Sequence, residues 1–508
     1  MSDLTVRRTP RTRVGERLEG LWSFRGRYRT LHLTWFAFFL SFVVWFNMAP
    51  FAITIGEQLS LSKAQLGVLA LCNVAMTVPA RIVVGMALDR FGPRRVYAAI
   101  LIFSTVPCLV FALASSFPML AFSRLALGIV GAGFVVGIRM ISEWFPPKEL
   151  GLAEGIYGGW GNFGSAAAAM GLPLVAGVVG GEDGWRWAIA LTGIIAGAYG
   201  LYYLRAAADT PEGIAYVRPK RHGALEVTSR PGVFGLIATT VPLVGVLDLI
   251  AWRLQRAGAI STSVMWIVVA LTVALLASQV RRIITVNAPA LADAHPKSER
   301  YPFRSVVVLC VAYACCFGSE LAVVSMLPTF FAQTWGLGPA LAGATASAFA
   351  FMNLFARPAG GLLSDLLPSR RRTLTLLLGC LAGGYLLMAL LGAAWPVPLA
   401  VVVAMVCSFF VQSSEGAVYA IVPLVNKRVG GQIAGMVGAY GNVGAIAFLT
   451  VLLFVTPSVF FLVIAAASIL GTLACRWLVE PARSFDEHLI VLDDDDRTVA
   501  LEDEELVG

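Results

Sequence analysis

Uncharged apolar stretches recur along almost the whole chain, each near the roughly 20 residues that a helix needs to cross about 30 Å of hydrocarbon. Fourteen are legible, at 31–55, 64–88, 96–115, 119–141, 152–178, 185–208, 233–252, 262–280, 303–331, 340–365, 373–394, 396–425, 430–454 and 457–479. They fall into groups of six, two and six. Lipid offers a backbone no hydrogen-bonding partner, so each segment must satisfy its own N–H and C=O groups, as a helix does. Strands of a barrel would instead alternate over units of about ten residues. With 58% hydrophobic and only 13% charged residues, a soluble fold has no support.

A net charge of +8 suggests nucleic acid until the charges are located. They sit in short loops rather than on one stripe, which excludes that partner. Arg7, Arg8, Arg11, Arg13, Arg17, Arg25, Arg27 and Arg29 precede the first segment; further clusters are Arg90/Arg94/Arg95, Arg218/Lys220/Arg221, Arg370/Arg371/Arg372 and Lys427/Arg428. The loops between them, near 56–63, 115–118, 331–339 and 453–456, are nearly free of Lys and Arg. An even number of crossings then puts both termini in the cytoplasm of an inner-membrane protein. Arg253 and Arg256 resist this scheme, since a crossing pair at 233–280 leaves them outside; the alternative is a surface-lying or re-entrant pair. Thirty polar residues ahead of the first segment, with no small-residue cleavage site, argue against a removed signal peptide.

The expected organisation is a basic cytoplasmic tail (1–30), a six-helix bundle (31–208), a linker with two inserted membrane helices (209–302), a second six-helix bundle (303–479) and an acidic cytoplasmic tail (480–508). Asp493 to Asp496 and Glu502 to Glu505 mark that tail as a mobile extension. All eight cysteines lie within apolar segments, where they act as small hydrophobes. The adjacent Cys315 and Cys316 lack metal-ligand spacing, and no membrane histidines pair to hold haem. Neither a metal, another cofactor nor an enzyme's catalytic set is indicated. The inserted pair contains one acid, Asp248, with no chemistry assigned to it.

The two six-helix blocks echo each other. Ala80-Arg81-Ile-Val-Val-Gly85-Met-Ala-Leu-Asp89-Arg90 is matched by Ala356-Arg357-Pro-Ala-Gly-Gly361-Leu-Leu-Ser-Asp365-Leu, and Gly158-Gly-Trp-Gly161-Asn162-Phe-Gly164 by Gly438-Ala-Tyr-Gly441-Asn442-Val-Gly444. Two matches in the same order indicate a duplicated transporter half. Arg81 and Arg357 lie two or more turns inside apolar runs, at a cost of roughly 2.5–3.5 kcal/mol unless each faces a cavity or partner. Converging on one cavity, they would form a planar fork for a small anion. Snorkelling or pairing with distant acids is the competing account. The glycines provide small packing faces. Asn162 and Asn442 need partners in hydrocarbon and are candidate substrate contacts. Asp89, Arg90, Arg94, Asp365 and Arg371, at helix ends beside basic loops, suit a gate that breaks as the halves rock; Arg94, Arg95, Arg371 and Arg372 also read as topology charge.

On these motifs the chain resembles the major facilitator superfamily, through Gly85-Met-Ala-Leu-Asp89-Arg90-Phe-Gly92-Pro-Arg94-Arg95, and within it the nitrate/nitrite porter family, through the paired glycine-asparagine motifs and deep arginines. Trp144-Phe145-Pro146-Pro147-Lys148, Asp209-Thr210-Pro211-Glu212-Gly213, Phe317-Gly318-Ser319-Glu320-Leu321 and Glu415-Gly416 are also family-like. The resemblance implies an all-α fold of two six-helix bundles rocking about a central site, working as a monomer in lipid. It implies that Arg81 and Arg357 hold nitrate or nitrite, that Phe134 and Phe317 sandwich the planar anion, and that Tyr313 donates to it.

Glu320, in an otherwise apolar helix, is similar to a glutamate of the proton-coupled, assimilatory branches and is a proton-coupling candidate; the alternative is a salt bridge to Arg139 or Arg357. Glu415 is a second coupling candidate or a structural charge, and Arg139 is placed to pair with Glu143 across one turn. The function implied is proton-coupled nitrate import. The alternatives are nitrate/nitrite exchange or nitrite export, and a non-transporting sensor or assembly subunit.

Overall fold

The computed structural model describes residue 15 and residues 19–219, 221, 223–256, 258–296, 300–492 and 498–500. The arginines at 7, 8, 11, 13 and 17, Lys220, and the acidic runs at 493–496 and 502–505 lie outside the described residues. The main helices are α1 (Gly26–Phe46), α2 (Lys63–Ala75), α3 (Thr77–Phe91), α4 (Pro93–Ala112), α5 (Phe117–Leu127), α6 (Gly133–Trp144), α7 (Pro147–Val179), α8 (Gly184–Ala206), α9 (Arg230–Arg256), α10 (Thr262–Val286), α11 (Phe303–Trp335), α12 (Pro339–Phe351), α13 (Asn353–Leu366), α14 (Arg370–Ala389), α15 (Val397–Tyr419), α16 (Gly430–Val451) and α17 (Pro457–Ala474). The β-structure among the described residues is one antiparallel pairing of Ile490–Leu492 with Thr498–Ala500.

Thirteen stretches among the described residues are long and apolar enough to cross a membrane. The expected fourteenth, 340–365, is instead built end to end from α12 and α13, which meet at Met352. Its counterpart breaks at Met76 between α2 and α3. Arg81 and Arg357 stand at the same distance past their breaks, 81 − 76 = 5 and 357 − 352 = 5. Each arginine therefore sits near the start of a fresh helix. The duplication extends to backbone geometry, a feature the sequence did not reveal.

Chain ends and turns follow local chemistry. Ser62 and Gln65 form a reciprocal capping box at α2, satisfying two of the N–H groups a helix start leaves open. Gly92, at φ +83°, ends α3, and Pro93 opens α4 where its missing N–H costs nothing.

The first and second halves meet along two glycine-lined seams. On one, a Cβ at Gly85 would come within 2.6 Å of the Gly431 carbonyl oxygen, so α3 and α16 are in backbone contact. On the other, a Cβ at Gly361 would stand 1.8 Å from the Gly151 oxygen, bringing α13 against α7. Both seams lie at the end that carries the basic loops. Toward the opposite end a Cβ at Gly67 of α2, Gly171 of α7 or Gly343 of α12 would meet nothing within 4 Å, and Met170, Leu174 and Val178 are 62%, 72% and 88% exposed.

Two straps cover the closed end. After α8, Asp209 accepts from the Arg94 backbone N–H at 2.7 Å, and Tyr216 donates to the Leu88 carbonyl at 2.9 Å. After α17, Glu480 accepts from the Arg370 backbone N–H at 2.8 Å, and Ser484 accepts from the Arg370 guanidinium at 3.0 Å. The Lys148 N–H then donates to the Asp486 carbonyl at 3.1 Å, tying the second strap to α7. Residues 480–488 are thus docked across both halves, where the sequence suggested a free extension. The inserted α9 and α10 form a helix pair in which Thr272 donates to Asp248, giving that acid a structural role.

Candidate functional site

Arg81 on α3 and Arg357 on α13 are buried to 0% and 1% exposure, and both lie over the same Phe134 ring. Each reaches across to the other half's glycine-asparagine motif. Arg81 donates through Nη1 to the Gly438 carbonyl and through Nε to the Gly131 carbonyl at 3.4 Å. Arg357 lies on Gly158, where a Cβ would come within 2.5 Å of its Nε. A Cβ at Gly438 would meet Arg81 Cδ at 3.3 Å. The two motifs that repeat in the sequence are therefore partners in space, and these glycines clear room for the guanidinium groups.

The arginines differ in charge balance. Arg357 Nη1 is 2.6 Å from Glu415 Oε2, and its Nη2 donates to the Tyr313 hydroxyl at 3.2 Å. Arg81 has no carboxylate partner among the described residues, and its Nη2 is buried without an acceptor. A guanidinium with a free N–H and uncompensated charge is suited to a small anion.

Aromatic rings wall the same space. Phe134 and Tyr313 are parallel to within 2° at 6.2 Å, and Tyr313 and Phe317 to within 4° at 5.1 Å. Arg81 Cζ lies 5.5 Å from the Phe134 centroid and 5.2 Å from that of Phe317, while Arg357 Cζ lies 5.0 Å from Phe134. Tyr419, which the sequence did not single out, stands edge-on to both Phe134 and Tyr313. A planar ligand here would meet ring faces above and below and cationic N–H groups at its edge.

A carboxyl cluster adjoins the pair. Glu320 accepts from Asn353 Nδ2 and, at 3.4 Å, from Gln412 Nε2; it pairs with neither Arg139 nor Arg357. Arg139 instead bridges Glu143 at 2.8 Å, as its spacing indicated, and Lys427 Nζ joins Glu143 at 3.2 Å. Glu320 Oε2 and both Glu415 oxygens are buried without hydrogen-bond partners among the described residues. Asn162 reaches Asn353 Oδ1 at 3.5 Å, and Asn442 reaches the Gly438 carbonyl at 3.5 Å; the Oδ1 of each lacks a partner among the described residues. Asn162 thus joins the glutamate network through Asn353, while Asn442 lies one turn beyond the carbonyl that holds Arg81.

At the basic-loop end, Asp89 accepts from the Gly431 and Gln432 N–H groups at 3.0 Å each, at the start of α16. Asp365 accepts from the Gly151 and Leu152 N–H groups of α7 at 2.9 and 2.8 Å. Asp89 thus binds the first turn of α16, where free N–H groups favour negative charge, and Asp365 binds the second turn of α7, each in the opposite half. Arg370, rather than Arg371, completes this contact, 2.8 Å from Asp365. Arg371 and Arg94 donate backbone N–H groups to the straps, and Arg90 lies over Phe91.

The Major Facilitator Superfamily profile matches residues 34–448. The nitrate/nitrite transporter NrtP of Picosynechococcus is 47% identical, with 92% of this chain and 96% of that protein covered. The protein of the same name from Nostoc punctiforme is 46% identical, covering 92% and 95%. Nitrate transporter 2.1 of Chlamydomonas reinhardtii is 29% identical, covering 82% of this chain and 66% of its own length. Among solved structures, the proton:xylose symporter XylE aligns with a TM-score of 0.60 at 12% identity over 89% of this chain and 96% of that one, a likeness of fold alone. The chain belongs to the Major Facilitator Superfamily and, within it, to the nitrate/nitrite porter family.

Proposed function

We propose that the protein imports nitrate, and accepts nitrite, across the cytoplasmic membrane of a bacterial cell by alternating access, with protons as the coupling ion. The observation that carries this reading is Arg81: a fully buried guanidinium between parallel aromatic rings, with a free N–H and no carboxylate partner among the described residues. The relatives from Picosynechococcus and Nostoc punctiforme are nitrate/nitrite transporters, and nitrate is a planar anion that suits this slot.

With the basic loops in the cytoplasm, the seams and the Asp89 and Asp365 contacts close the inner side, and the open space beside Gly67, Gly171 and Gly343 lies toward the outside. This is the state that receives an external anion. Nitrate entering the slot would take the free Arg81 Nη2 and accept from the Tyr313 hydroxyl.

Coupling follows from the Arg357–Glu415 pair. While Glu415 is ionised it neutralises Arg357, leaving one cation for the ligand. A proton that passes by way of Glu320 to Glu415 breaks the pair, freeing Arg357 to close on the anion. Anion and proton therefore bind cooperatively. Glu320 serves as the entry carboxyl, and Asn353 and Gln412 orient it. The membrane potential opposes anion entry by about 2.3 kcal/mol per charge per 100 mV, which co-transport of more than one proton reverses.

The test is nitrate uptake into proteoliposomes with an inward proton gradient, with and without internal nitrite, comparing wild type with Glu320→Gln. Gradient-driven uptake without nitrite, lost in the variant, supports symport. Uptake that needs internal nitrite and ignores the substitution establishes exchange instead.

A further inference from the structure

Glu154, on α7, is 1% exposed, and neither carboxyl oxygen has a hydrogen-bond partner among the described residues. It lies one turn before Gly158, on which Arg357 rests. Arg357 of α13 is the charge that acts on it, and Tyr157 of its own helix is the other ionisable group it influences. Tyr157 is committed, donating to the Phe134 carbonyl at 2.8 Å.

The remaining charges around α7 are already paired. Glu415 of α15 lies on the Arg357 guanidinium, Arg139 and Glu143 of α6 hold each other, Arg27 of α1 bridges Glu149 at 3.0 Å, and Asp365 of α13 is bound by Arg370. Among the described residues, Glu154 therefore receives no donor and no dedicated cation. A carboxylate buried in that way is strongly disfavoured, whereas the neutral acid is tolerated.

We infer that Glu154 is a second proton-binding site, carried by the half opposite to Glu320 and Glu415, so that two protons accompany each nitrate. This rests on the proton-coupled reading above. The carboxylate takes its proton from the outer solvent by forming an O–H bond, and the neutral group allows α7 to close on α13. When the α7–α13 seam opens to the cytoplasm, water reaches Glu154 and the proton leaves. The ionised carboxylate then draws on Arg357 from the other half of the chain, competing with the departing anion for that guanidinium. One proton site in each half gives a net inward positive charge per cycle. A single site would give none.

Two measurements on the full-length protein decide it. In voltage-clamped proteoliposomes under a proton gradient, wild type should carry one net positive charge inward per nitrate. Glu154→Gln should still take up nitrate but with the accompanying charge lost, and Glu154→Asp should restore the charge. An unchanged charge-to-nitrate ratio in Glu154→Gln overturns the inference while leaving the symport reading intact. Wild-type uptake indifferent to the proton gradient defeats that reading instead. In that case infrared difference spectra of the purified protein across a pH titration test the proton site directly. A neutral-carboxyl C=O band that disappears in Glu154→Gln and shifts in Glu154→Asp supports it, and a band unaltered by both substitutions refutes it. The spectra require folded protein only, so loss of transport in a variant leaves the inference open to refutation.

Discussion

Arg81 and Arg357 occupy the same place in the two repeats, yet Arg357 stands 2.6 Å from Glu415 whereas Arg81 rests on backbone carbonyls. The duplication supplies two cations, and the second half adds the acid that makes one of them switchable. Glu415→Gln should therefore leave Arg357 permanently free. Nitrate binding at neutral pH should be at least as tight as in wild type, while its dependence on proton concentration flattens. Titration of nitrate affinity against pH in the purified protein checks this, and an affinity that still climbs steeply on acidification would remove Glu415 from the coupling path.

Asp365 holds α7 through two N–H groups and is also ion-paired to Arg370, whereas Asp89 holds α16 without an ion pair among the described residues. Breaking a buried ion pair costs about 3–5 kcal/mol, against roughly 1.5–3 for a hydrogen bond to a charged group. Asp365→Asn should thus shift the population toward inner-side opening more than Asp89→Asn does. Distances between spin labels on the two cytoplasmic loop sets report the shift, and equal effects would show that Arg370 adds nothing to the latch.

Gly361→Ala should impair transport severely, because its Cβ would sit 1.8 Å from the Gly151 backbone oxygen and can be accommodated only by separating α13 from α7. Gly438→Ala meets the Tyr419 hydroxyl at 3.2 Å, a contact that side-chain movement can relieve, and should be the milder change. Uptake normalised to protein in the membrane ranks the two.

Tyr313→Phe removes a hydroxyl that accepts from Arg357 while keeping the ring stacked between Phe134 and Phe317. A hydrogen bond to a charged group contributes about 1.5–3 kcal/mol, so KM for nitrate should rise roughly ten- to 150-fold with little change in maximal rate. Concentration-dependent uptake separates the two constants.

What the sequence made legible had a period or a short range. The crossings are visible from apolar length, Arg139–Glu143 from helical spacing, and the deep arginines from their cost in hydrocarbon. The glycine motifs were visible as a repeat, but their seating of Arg357 on Gly158 and of Arg81 on Gly438 joins residues from opposite halves of the chain. Nothing local encodes such pairings. The same holds for Glu320, whose partners Asn353 and Gln412 lie on two other helices. Glu154 escaped notice because it follows a loop rich in ordinary charge, next to Lys148 and Glu149; only burial distinguishes it. The strap at 480–488 reads as a polar tail until Arg370 and Lys148 are seen to hold it.

The central claim is that the anion is held by Arg81, and nitrate binding to the purified wild-type protein and to Arg81→Gln tests it most directly. Loss of a charge-assisted hydrogen bond worth about 1.5–3 kcal/mol predicts an affinity at least roughly tenfold weaker in the variant. Equal affinity in the two proteins would place the anion elsewhere and contradict the account.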